Sequence, residues 1–312
     1  MTSINSSGRL EVGGGHQIYW EDWGSPEGSP ILSFHGGPGS CFSDKHKAHF
    51  DPKIHRVIFF DQRGCGKSLP FASTDNNTTQ DTIDDAEKLR EMLGINRWHV
   101  VGGSWGSALS LMYAVAHPDR VKSMMIWGVY TMRQFEDDWV NEGYPRHFFP
   151  NEWARFISFV PEEKRVNGLS IMEYYAEEMR SSDGDRAKKY AFEWTLWESV
   201  LLSIEYDPDH VESEVEGDPS TLPIALLETH YFLNNCFVEP DHIYKNIEKI
   251  RSIPCYAVQG RFDMCTPPET AQILGDAYGD MYELSYVNSG HLRSDIELKL
   301  KLTELAKLKL VR

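Results

Sequence analysis

Trp98-His99-Val100-Val101-Gly102-Gly103-Ser104-Trp105-Gly106-Ser107-Ala108-Leu109 runs an apolar strand, Trp98 to Val101, straight into a helix, Ala108 to Ala116. The joint between them has the pattern G-x-S-x-G. Small residues flank the serine because the chain must reverse sharply there and hold Ser104 in a strained backbone conformation. Such a bend thrusts the hydroxyl over a sheet edge at a helix N-terminus, where the helix dipole favours negative charge. An ordinary strand-to-helix turn with a capping serine is the competing reading. The strand before and the helix after favour a nucleophile.

Outward from this joint, the flanking sequence keeps the same rhythm. Ser29 to Phe34 and Arg56 to Phe60 are short apolar runs followed by glycine-rich turns, as buried parallel strands are. Asp81 to Leu93 carries apolar residues at helical spacing with Gly94 just beyond, a helix with its stop signal. Val121 to Trp127 is a further strand. From Pro254 the pattern resumes, with strands at Pro254 to Gln259 and Tyr282 to Asn288, a helix at Thr270 to Ala277, and a closing Lys/Leu helix. Between Met132 and Asn246 it breaks into helical, aromatic-rich sequence, which holds 19 of the 38 aromatic residues. The expectation is an α/β fold of the α/β-hydrolase type, a mostly parallel central sheet flanked by helices with an inserted helical cap. Residues 1–131 and 247–312 form the core, and 132–246 the cap.

A serine hydroxyl needs a base, and the base needs an orienting group. In this fold the chain order is Ser, then Asp or Glu, then His. Asp263 follows the strand at Pro254 to Gln259, and His291 follows the last strand. Both fall on loops at the carboxyl ends of strands, where open α/β sheets assemble their sites. Asp276 and Asp280 are rival carboxylates, but neither directly follows a strand. The oxyanion hole needs backbone N–H groups aimed at developing charge. Trp105 supplies one. The other comes from His35-Gly36-Gly37-Pro38-Gly39, at Gly37 with Gly36 as fallback.

The formal net charge of −16 argues against nucleic acid, which calls for a basic face. Residues 132–246 hold 24 acidic against 10 basic side chains, read as a solubilising surface. No apolar run is long enough to span a membrane, and MTSINSSGRLEV lacks the marks of a secretory leader. A cytoplasmic protein is expected, its five cysteines reduced. No metal site or cofactor is expected.

Three motifs, taken together, resemble the proline iminopeptidases (prolyl aminopeptidases). They are His35-Gly36-Gly37-Pro38-Gly39, Asp61-Gln62-Arg63-Gly64-Cys65-Gly66-Lys67-Ser68 and Gly102-Gly103-Ser104-Trp105-Gly106-Ser107. The resemblance implies a serine exopeptidase that releases N-terminal proline from peptides with a free imino terminus. It also implies that Glu198 and Glu228 of the cap hold the charged imino group. Paired carboxylates suit that task, because they bind a cation strongly and stay uncompensated without one. Trp105, Trp139 and Phe149 are candidates for the apolar slot around the proline ring. The chain departs from the family at Ser40, where glycine is commoner, and at Val140-Asn141, where aromatics are usual. An esterase, amidase or lactonase on the same scaffold is the alternative activity. Cys265, two residues past Asp263, is expected to confer thiol sensitivity without a catalytic role.

Overall fold

The computed structural model describes residues 4–311. Met1–Ser3, part of the segment read for a leader, lie outside the described residues. Eight strands form one sheet in the order β1-β2-β4-β3-β5-β6-β7-β8. They are β1 (Ile4–Gly13), β2 (His16–Gly24), β3 (Ser29–Phe34), β4 (His55–Phe60), β5 (Trp98–Ser104), β6 (Val121–Val129), β7 (Cys255–Gly260) and β8 (Tyr282–Val287). From β4 to β8 every neighbouring pair is parallel. The β1–β2 hairpin joins antiparallel to β4. This hairpin is absent from the sequence reading and is a correction to it.

Side chains along each central strand alternate between two cores, as the two-residue period requires. Leu32, Ile58 and Val100 face one core with the helices α2 (Thr79–Met92), α3 (Trp105–Ala116) and α11 (Pro268–Tyr278). Ile31, Phe59 and Val101 face the other, covered by α12 (Ile296–Lys309). Helix α2 starts two residues earlier than the sequence suggests, because Thr78 and Asp81 form a reciprocal capping box, with bonds of 3.2 and 3.0 Å. Gly94, at φ +63°, ends it as expected.

A short helix, α1 (Asp44–Lys47), lies between β3 and β4. Between β6 and β7 every described element is helical. These are α4 (Gln134–Asn141), α5 (Pro150–Ser158), α6 (Gly168–Met179), α7 (Gly184–Val200), α8 (Pro208–Gly217), α9 (Thr221–Leu233) and α10 (His242–Lys245), with short 3-10 turns. Helices α5 to α9 share a third apolar core, built around Phe156, Tyr175, Trp194 and Trp197.

Candidate active site

Ser104 ends β5 and precedes α3 with φ +56° and ψ −129°, a region that side chains other than glycine rarely enter. The neighbours make the bend possible. A Cβ on Gly102 would lie 2.1 Å from the Gly106 carbonyl oxygen, and one on Gly106 would lie 2.5 Å from that of Phe34. Only glycines let strand, elbow and helix approach so closely. Trp105 is the first residue of α3, so its N–H lacks an intrahelical acceptor and remains available.

Asp263 is buried and held from several sides. Its Oδ1 accepts the Cys265 and Thr266 backbone N–H groups at 3.0 and 2.8 Å. Its Oδ2 accepts the Thr266 hydroxyl at 2.9 Å and the Gln259 amide at 3.1 Å. The same Oδ2 lies 2.8 Å from His291 Nδ1. With Nδ1 committed to Asp263, His291 keeps Nε2 for another partner. Gly128, at φ +50°, lets the ring lie close to β6: a Cβ there would meet His291 Cε1 at 2.8 Å. Burial opposes charge on His291, but the charge and hydrogen bond of Asp263, then Glu198 and Asp295, raise its pKa above 6.5 overall. The rivals Asp276 and Asp280 are exposed on the surface.

The HGGPG loop lies beside Ser104. Gly37, at φ +108°, lines the same cavity as Ser104 and Trp105, and Gly36 lines the adjoining one. Gln62 ties this loop to the elbow. Its side-chain amide donates to the His35 carbonyl at 3.0 Å, its oxygen accepts Trp105 Nε1 at 2.9 Å, and its backbone N–H reaches His35 Nε2 at 3.0 Å. Asp61 secures the next turn by accepting the N–H groups of Phe42 and Lys67 at 3.0 and 2.8 Å. Sequence reasoning missed Gln62. Its only signal was its place in the DQRGCG motif.

Two adjoining cavities open at Ser104. The first, about 560 Å³, is lined by Trp105, Tyr130, Val140, Asn141, Trp197 and Phe232, with Glu136 and Asp137. The second, about 880 Å³, reaches His291, His46 and Arg293. Glu198 of α7 and Glu228 of α9 line both. Their carboxyl groups hydrogen-bond to each other, and Trp194 Nε1 donates to Glu228 Oε2 at 2.7 Å. Burial, and then the Glu198 charge, push Glu228 well above the carboxylate range; burial also raises Glu198. The raised pKa of Glu228 and the hydrogen bond between the two carboxyl groups fit a pair that shares a proton.

Two expected pocket residues stand elsewhere. Trp139 donates its indole N–H to the Met264 carbonyl at 2.9 Å and stacks on Tyr144. Phe149 packs edge-on against Tyr206 in the helical core. The helical period explains the first case: residues 136, 137, 140 and 141 share the face of α4 that meets the cavity, and residue 139 falls off it. The departures at Val140 and Asn141 thus sit on the cavity wall. Cys265 lines both cavities as a buried free thiol. Among the described residues no cluster of ligating side chains could hold a metal, and no helix is long and apolar enough to cross a membrane.

A family model for the alpha/beta hydrolase fold matches residues 29–295. The chain is 42% identical to a proline iminopeptidase of Neisseria meningitidis over 93% of its own length and 91% of that protein. It is 39% identical to one of Arabidopsis thaliana, over 92% and 75% of the two chains. Among solved structures, an esterase from Exiguobacterium antarcticum superposes with a TM-score of 0.67 at 16% identity, covering 97% of this chain and 98% of that one. A thermophilic esterase from Thermogutta terrifontis gives 0.66 at 18%, covering 97% of each. At these identities the esterases bear on the fold alone.

Proposed function

Because this chain belongs to the α/β-hydrolase family and, within it, to the proline iminopeptidases, we propose that Ser104 attacks the carbonyl of an N-terminal prolyl residue, with His291 as base and Asp263 orienting it. The reaction is release of N-terminal proline from a peptide. His291 Nε2 takes the hydroxyl proton as the Ser104 Oγ–carbon bond forms. Asp263 stabilises the imidazolium without taking its proton. The N–H groups of Trp105 and Gly37, or Gly36, receive the oxyanion. His291 then protonates the leaving amine as the C–N bond breaks. Water, deprotonated by the same ring, hydrolyses the acyl-enzyme and frees proline.

The observation that carries the exopeptidase reading is the Glu198–Glu228 pair on the same cavity walls as Ser104. Two buried carboxylates sharing a proton await a cation, and a secondary ammonium with two N–H groups can satisfy both. An acylated terminus has neither charge nor donors to give. The aromatic and aliphatic wall of Tyr130, Val140, Trp197 and Phe232 suits a pyrrolidine ring. On this reading the helices between β6 and β7 act as the cap, and residues 132–246 bring the carboxylates over the sheet. The five free cysteines support a reducing, cytoplasmic location.

The deciding test compares proline, alanine and N-acetylproline arylamides. The proline compound turns over and its acetylated form does not. Efficient cleavage of N-acetylproline arylamide would refute the reading.

A further inference from the structure

Arg293 presents a half-buried positive charge to the second cavity, with no carboxylate within salt-bridge distance of it among the described residues. It follows β8 by a few residues and shares the cavity wall with Ser104, His291, Glu198 and Glu228. Its one hydrogen bond among the described residues runs from Nη2 to His46 Nδ1, at 2.6 Å. A guanidinium has five N–H donors, so four have no protein acceptor.

The neighbouring rings supply no countercharge. Burial, and after it the Arg293 charge, lower His46 to about 2 and His49 to about 4. Burial also brings His35 to about 4 against the pull of the Gly36 carbonyl. All three are neutral at neutral pH. Burial alone lowers Arg293 itself to about 10, with no acid offsetting it. In a chain with 47 acidic and 31 basic residues, Arg293 stands in the cavity unpaired with any carboxylate among the described residues, so its donors are open to an anionic ligand.

The cavity is thus bipolar, with two carboxylates reaching in from α7 and α9 and a guanidinium from the loop after β8. A dipeptide with free ends has the same polarity. With its imino group at the glutamates and its first carbonyl at Ser104, its carboxylate lies roughly 3.5 Å of chain beyond the scissile bond.

We propose that Arg293 receives a carboxylate on the leaving-group side of the scissile bond, so that the preferred substrates carry a carboxylate in the residue after proline. That carboxylate is the free C-terminus of a Pro-X dipeptide or an acidic side chain at X. The inference rests on the exopeptidase reading above and adds its leaving-group specificity.

The test measures kcat/KM for Pro-Gly, Pro-Gly-amide, Pro-Asp-amide and a prolyl arylamide, on the wild type, Arg293→Gln and Arg293→Lys. The wild type is expected to favour Pro-Gly over Pro-Gly-amide about tenfold, the effect of one charge-assisted bond. Faster turnover of Pro-Asp-amide than of Pro-Gly-amide identifies the side chain as a second source of the anion. In Arg293→Gln the ratio of acid to amide falls to near one. In Arg293→Lys, which keeps the charge but loses the fork, it falls severalfold; this variant decides the matter if Arg293→Gln does not fold. Equal turnover of all three peptides by the wild type overturns the proposal without any variant. So does a ratio that survives both substitutions, since an arginine that only braces His46 would slow every substrate alike. The arylamide has no carboxylate, so failure to cleave it refutes the exopeptidase reading instead.

Discussion

Glu228→Gln changes one atom in the carboxylate pair and sets activity against stability. The glutamine fits the existing bonds: its oxygen accepts Trp194 Nε1, now 2.7 Å from Glu228 Oε2, and its amide donates to Glu198. The shared proton is no longer needed. A buried carboxyl raised by burial and by Glu198 is replaced by a neutral group of the same shape, so the empty enzyme gains about 1 kcal/mol. At this chain length that shifts Tm upward by about 2 °C. The substrate loses one of two charge-assisted acceptors, at about 1.5–3 kcal/mol, which lowers kcat/KM for proline arylamide about 10- to 100-fold. The loss falls mainly on KM, because the imino group is bound before and during the chemistry. Steady-state kinetics with thermal unfolding on the same preparation reads both effects. An unchanged KM, or a variant that melts lower than the wild type, would refute the reasoning.

Three further outcomes follow from the site. The base works only when neutral, and Asp263, Glu198 and Asp295 raise His291 above 6.5 against burial, so kcat/KM falls as pH drops through a midpoint above 6.5; a midpoint below that value contradicts the assignment. Gly102→Ala places a Cβ 2.1 Å from the Gly106 carbonyl oxygen and 2.9 Å from Ser110 Oγ, which costs about 3 kcal/mol or more; urea unfolding at wild-type stability would show that the elbow yields. Burial, and then Glu198, Asp263 and Glu228, hold the Cys265 thiol well above its usual range, so alkylation is slow at neutral pH, accelerates with pH and obstructs both cavities; full activity with Cys265 modified, followed by mass spectrometry, would exclude this.

The central sheet is legible because β3 to β7 are short apolar runs bounded by turns, and a parallel strand buried on both faces can have little other composition. Ser104, Asp263 and His291 are legible through their order and their places after strands. The β1–β2 hairpin is not, because its polarity is met by tertiary partners. Buried Asp22 on β2 pairs with Arg56 at 2.7 Å, and Glu21 with Lys47 at 2.8 Å, and neither pairing can be read along the chain. The cavity wall fails for a related reason. Which face of α4 meets the cavity depends on how that helix lies over the sheet, so the chain alone marks Val140 and Asn141 as departures from the family and not as cavity wall in place of Trp139. Gln62 carries no catalytic chemistry. Its three bonds, between loop and elbow, exist only once both are folded.

The β1–β2 hairpin also decides what the molecule presents at one edge of its sheet. Strand β2 is buried or half-buried throughout and carries Ile18, Trp20 and Trp23, so a bare β2 would offer a hydrophobic template to any other open strand. Strand β1 covers it and turns outward a margin of Ser6, Ser7, Arg9 and Glu11, with Arg9 tied to the Lys67 carbonyl at 3.0 Å. A polar, charge-bearing outer strand discourages further pairing. Ten inconspicuous residues thus exchange an apolar edge of the sheet for a polar one.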